Sequence, residues 1–216
     1  MKEILLKKTL SLAQWMGSQI HLRTMRDAFI MLIPFLVLSG MMILINNVVI
    51  NPGGILSGIV ADTTLSSWQT VGNKVVNGTM NIRGMLIGLV FSYNLARNRQ
   101  FANPLMAALV SVSCLFVLMP LLNAYTPEGA TAEVMIKSAA PYALLGTSGT
   151  FVALVCGGLA TELFIRISKN KRLQIRIEGN VPPAVIQSFN TLFAVMITVL
   201  LFAFASWLMV ALAGVE

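Results

Sequence analysis

The stretch Ala28–Ile50, AFIMLIPFLVLSGMMILINNVVI, decides the fold class. It carries no charge over a length greater than the ~20 apolar residues that one helical membrane crossing needs. Pro34 and Gly40 are places for a bend, and Asn46 and Asn47 are expected to approach the far interface. The chain around it has the same character. Of its 216 residues, 56% are hydrophobic and only 11% are charged, and the mean hydropathy is +0.81. A soluble domain carries about 25% charged residues. An ordinary cytosolic enzyme and a disordered tail are therefore excluded. The net charge of +7 raises the possibility of nucleic-acid binding. A phosphate-gripping face must be charged and solvated, however, and here long segments hold no charge at all.

Four further spans follow. Thr79–Ala96 is the weakest, reaching about 27 Å as a helix and containing Asn81, Arg83 and Asn94. Asn103–Tyr125, Leu145–Ile167 and Ala184–Ala213 are strongly apolar. Between the first two spans lies NPGGILSGIVADTTLSSWQTVGNKVVNG, whose composition reads as an extramembrane loop with one short surface helix. Before the first span, Leu5, Leu6, Leu10, Leu12, Ala13, Met16 and Ile20 fall on one side of a helical wheel. Lys7, Ser11, Gln14, Ser18 and His21 fall on the other, with Trp15 near the boundary. That is the pattern of an amphipathic helix in the headgroup layer. Gln14, Gly17, Ser18 and Gln19 interrupt any signal-peptide core. The expectation is an all-α integral membrane protein: residues 1–26 form an interfacial leader, and residues 27–216 form a domain of about five transmembrane helices.

Basic residues orient it. Lys2, Lys7, Lys8, Arg23 and Arg26 precede the first span; Lys74 alone occupies the next connection; Arg97 and Arg99 the one after; Lys137 alone the third; and Lys169, Lys171, Arg172 and Arg176 the fourth. Because Lys and Arg in short loops stay on the cytoplasmic side, the N-terminus is expected inside and the C-terminus outside.

No catalytic constellation is visible. Cys114 and Cys156 lie in apolar runs and read as small core residues. His21 has no neighbouring ligand set, so neither a metal site nor a cofactor is expected. Arg83 and Glu162 are the ionisable residues within spans. They fall near opposite faces, so each reads as a snorkelling side chain rather than half of a relay, with Arg166 one turn from Glu162 as its partner. Gly84 and Gly88, with the stripe Gly149, Ala153, Gly157 and Thr161, predict close helix packing, within the chain or between chains. The segment ISKNKRLQIRIEGNVPP combines a basic start, an alternating run and a turn at Gly179–Asn180. It is either a hairpin-like cytosolic loop or a docking surface.

Taken in order, HLRTMRDAFIMLIPFLVLSGMMILI, YNLARNRQFANPLMAALVS, LGTSGTFVALVCGGLATELFIRI and IRIEGNVPPAVIQSFNTL resemble a known family. It is the lactose/cellobiose/diacetylchitobiose-type permease component (enzyme II C) of the bacterial phosphotransferase system. NVPPAVIQSF, Asn180–Phe189, carries the most weight. Ile177–Glu178 departs from a Met-Pro-like pair, and Phe193–Ala194 stands where a proline is expected. The resemblance implies a multi-pass protein of the bacterial inner membrane that moves a β-linked disaccharide such as cellobiose, lactose or chitobiose. It further implies a homodimer whose first five helices form the interface, with cytosolic A and B components as partners. The principal sugar-binding His and Glu belong to a second half that is expected to begin where this chain ends. Substrate-binding residues therefore stay unassigned, and sugar binding is expected only if that half is supplied. Two functions remain open: a split or truncated portion of a transporter, and a non-transporting dimerisation remnant. A small membrane enzyme is disfavoured by the lack of converging polar groups.

Overall fold

A computed structural model describes residues 17, 19–126, 134–137, 141–173 and 183–213. Of the interfacial leader expected over residues 1–26, residues 1–16 and 18 lie outside the described residues, as does the alternating run with its turn at 174–182; residues 20–26 are helical.

Helix α1 spans Ile20–Leu44 and continues as a π-helical turn, Ile45–Val49. It runs unbroken through position 27, so the first span is part of a longer helix. Pro34 sits inside it, where the ring removes one main-chain donor. The chain then reverses through Gly53, at φ +102, a conformation glycine adopts without a Cβ clash.

The connection expected to be a loop is corrected here. Residues Asp62–Asn77 form a regular helix, α2, and a 3-10 turn at Met80–Ile82 joins it to α3, Arg83–Asn98. Together they make a run of 37 residues, Asp62–Asn98, long and apolar enough to cross a membrane. The weak span is therefore prolonged by its own "loop". The reason is lateral: Leu65 and Gly72 of α2 are buried, and the Ser39 hydroxyl of α1 donates to Thr79 at 2.6 Å.

The third span is corrected in the opposite direction. Helix α4 covers only Pro104–Val117, about 21 Å. Asn103 caps it by accepting from the Met106 N–H at 3.2 Å, with Pro104 in the first turn, where its missing N–H costs nothing. Pro120 then disfavours helical backbone at the preceding residue. The chain leaves as β1, Leu122–Tyr125, which pairs antiparallel with β2, Val134–Lys137. This small hairpin is the departure from an all-α fold among the described residues. The fourth span is also divided. A short α5, Tyr142–Leu145, precedes α6, Thr150–Ser168, because Gly149 lies against the Leu144 carbonyl, where no Cβ would fit. Helix α7, Pro183–Ala213, agrees with the fifth span. Among the described residues, four helical runs, Ile20–Val49, Asp62–Asn98, Thr150–Ser168 and Phe189–Leu212, have the length and apolarity of a crossing, with Pro104–Val117 a shorter apolar helix.

The core is built by α3, α4 and α6. Gly84 of α3 faces the carbonyls of Leu145 and Gly146, Gly88 faces Ala153, and Gly157 of α6 faces Ser92, Ser111 and the Gly88 carbonyl. The two small-residue faces seen in the sequence are thus partners within one chain, and α3 and α6 run parallel. Ser92 donates to Ser111 at 2.7 Å across α3 and α4. Cys114 and Cys156 are both buried and unpaired in this core, together with Ala107, Val110, Ala160 and Phe164. Outward, Ile30, Met31, Val37 and Met41 of α1 and Leu200, Phe204, Trp207 and Leu212 of α7 are exposed. Such surfaces suit lipid or a further protein, not water.

Candidate functional site

Two polar assemblies sit at opposite ends of α1. The first is ionic. Helix α3 ends in a Schellman-type turn: Gln100 adopts φ 54, and the Phe101 N–H reaches back to the Ala96 carbonyl at 3.0 Å, satisfying a carbonyl the helix end would strand. The Phe101 ring meets Phe164 of α6 edge-on at 5.5 Å. This fixes Arg99 beside Glu162, which it contacts through Nε at 2.8 Å and Nη2 at 2.5 Å. His21 of α1 lies 3.6 Å from the same carboxylate, and one turn further Thr24 accepts from Asn98 at 2.9 Å. Arg26 is paired with Asp27 at 2.8 Å.

Glu162 is thus held from a neighbouring helix and not by Arg166, the partner expected from spacing. The i,i+4 rule compares only residues on one helix, whereas the α3 turn delivers a guanidinium from another, two of whose nitrogens donate to one Glu162 oxygen. Arg83 stands at the other end of α3, about 24 Å away by helical rise, so the two in-span charges do not meet. Its Nε is buried without a hydrogen-bond partner, and its Nη1 lies 3.9 Å from the Met80 sulfur.

The second assembly is uncharged and was not foreseen. The π-helical turn of α1 rotates Asn46 inward, where it is 6% exposed. Its Nδ2 donates to the Gln69 carbonyl at 3.1 Å and to Asn73 Oδ1 at 3.0 Å, while Gln69 Nε2 donates to the Asn46 carbonyl at 3.1 Å. The absence of a side chain at Gly72 makes room for the Asn46 amide. Beside this network a cavity of about 230 Å³ opens, lined by Ile43, Asn46, Asn47, Gln69, Asn73 and Val76. An apolar hollow of about 290 Å³, with Trp68 and Val71 in its wall, lies close by and shares Asn46. In the sequence, Asn46 and Asn47 read as interface markers, and Gln69 and Asn73 as loop residues. The available signal was the i,i+4 spacing of Gln69 and Asn73, legible only once that segment is known to be helical.

A bundle of helical runs long and apolar enough to cross a membrane is an α-helical integral membrane protein. Its family follows from comparison with known proteins. Residues 26–215 match the phosphotransferase system EIIC family, and the chain belongs to it. It is 30% identical over 190 residues to the lichenan permease IIC component of Bacillus subtilis, covering 88% of this chain and 41% of that protein. It is 27% identical over 185 residues to the cellobiose-specific EIIC component of Geobacillus stearothermophilus, covering 86% and 40%. In fold it is similar to the crystal structure of ChbC, the IIC component of an N,N'-diacetylchitobiose-specific phosphotransferase system. The TM-score is 0.81 at 24% identity, covering 96% of this chain and 47% of that one. The chain spans about two fifths of the length of these curated relatives.

Proposed function

We propose that the chain is the N-terminal, scaffold-forming half of a phosphotransferase-system permease for a β-linked disaccharide. The observation that carries this reading is the family match over residues 26–215, together with relatives named for lichenan and cellobiose. In this reading the protein lies in the bacterial cytoplasmic membrane, forms a homodimer, and works with cytosolic A and B components. Its ion-paired end faces the cytosol. Arg23, Arg26, Arg97, Arg99, Arg166 and Arg172 all belong to that end of the sequence-defined bundle, as the positive-inside tendency requires.

The second reading is a non-transporting dimerisation element of such a permease. One experiment separates the two. A host lacking its own permeases, supplied with A and B components of a cellobiose system, expresses the chain alone or with the remaining half of a related permease. Labelled-cellobiose uptake is expected only in the second case. Uptake in neither case favours the structural element. Robust phosphoenolpyruvate-dependent uptake by the chain alone would place the whole sugar path in this half.

A further inference from the structure

We infer that the cleft between α1 and α2 is a binding site for a neutral polyhydroxyl ligand the size of one sugar ring, at the end of the bundle opposite the Arg99–Glu162 pair. Four carboxamides line it, from Asn46, Asn47, Gln69 and Asn73, and no ionisable side chain does. That composition discriminates. A carboxamide offers both a donor and an acceptor, matching a hydroxyl, which is both as well. A phosphate or carboxylate ligand would call for Arg or Lys, and a hydrocarbon would leave the amides unpaired at a cost.

The amides are also preorganised. Asn46 spends both amide hydrogens on α2, and Gln69 returns one to the backbone of α1. Asn47 Nδ2 is anchored on the Ile43 carbonyl at 2.8 Å. Among the described residues, this leaves Asn46 Oδ1, Asn47 Oδ1 and Gln69 Oε1 as three acceptors and Asn73 Nδ2 as a donor group without a protein partner. They are carried on a framework that locks two helices together, so little side-chain entropy is lost on binding. The cavity, at about 230 Å³, lies below the ~300–1,000 Å³ typical of drug-sized pockets, which favours one ring over a whole oligosaccharide.

The choice of a sugar among neutral polyols rests on the permease reading. The site would then receive one ring of the incoming disaccharide at the non-cytosolic face, before the principal transport site. The test uses the purified chain in detergent micelles and is independent of uptake. Saturation-transfer NMR with cellobiose, and with glucose 6-phosphate as the charged control, is run on wild type, Asn73→Ala and Asn47→Ala. Both positions are exposed; because Asn73 also accepts from Asn46, thermal stability is measured alongside, and Asn47→Ala carries the test if Asn73→Ala fails to fold. The expected result is saturable cellobiose contact, weakened about fivefold by each variant, as the loss of a single hydrogen bond implies, with no preference for the phosphorylated sugar. Absence of saturation, indifference to both variants, or a preference for glucose 6-phosphate overturns the site. Uptake restored by a complementing half alongside such a failure would leave the permease reading standing without it.

Discussion

The two ends of the bundle solve the same problem, holding α1 against its neighbours, with different chemistry. At one end a carboxylate on α6 is gripped by Arg99 from the end of α3, with His21 of α1 nearby. At the other, one buried asparagine stitches α1 to α2 with no formal charge. The ionic clasp keeps partial contact with water, with Arg99 and Glu162 side chains 39% and 21% exposed, so dielectric and salt screening erode its strength. At the other end Asn46, the centre of the amide network, is only 6% exposed, which makes its bonds worth more and its loss more costly. Charge therefore reports which way the chain faces, while the neutral network carries more of the local stability.

The largest effect expected concerns that orientation. Reporter fusions at Ser57, Gln100, Lys137 and Asn170 should read outside, inside, outside, inside. A cytosolic reading at Ser57 would reverse the assignment of the two ends. Next comes the core that both ends depend on. Gly157→Leu drives a side chain into Ser92 and Ser111, since even a Cβ would lie 2.7 Å from the Ser92 hydroxyl. A loss of about 3 kcal/mol is expected for such overpacking, read as a lower unfolding midpoint in detergent. An unchanged midpoint would mean that the parallel α3–α6 contact does not hold in solution.

The contrast between the ends is then tested directly. Asn46→Ala should cost about 1–3 kcal/mol, because it removes both hydrogen bonds from α1 to α2 and empties the space the amide fills at Gly72, and the loss should be the same at low and high salt. Glu162→Gln should cost less, about 0–1 kcal/mol, and that small difference should shrink as salt is raised. Equal salt dependence in the two variants would show that the ends are not electrostatically distinct.

Legibility followed the direction of the physical signal. Hydropathy along the chain adds up transfer energies residue by residue, so Ala28–Ile50 and Ala184–Ala213 announced themselves. Punctuating residues were less well weighed. Pro120 ends the third helix early, and the local rule for the residue before proline already contained that outcome. The segment Asp62–Asn77 was misread because its Thr, Ser, Asn and Gly residues have loop composition, while its buried face, Leu65 and Gly72, shows only against α1.

By itself, the sequence determined that this is a multi-span membrane protein with its basic residues alternating between connections, and that its second and third quarters carry tightly packing small-residue faces. It also carried the family resemblance, because motif order survives where side-chain geometry is invisible. Only the tertiary structure decided which surfaces are partners. It paired Gly84 and Gly88 with the α5–α6 turn and Ala153, gave Glu162 to Arg99 instead of Arg166, and gathered Asn46, Asn47, Gln69 and Asn73 around one cavity. The physical reason is range. Burial preference and helix period are properties of a residue and its near neighbours in sequence, whereas a hydrogen bond between residues 46 and 73 exists only once a π-turn and a second helix have brought them to 3.0 Å.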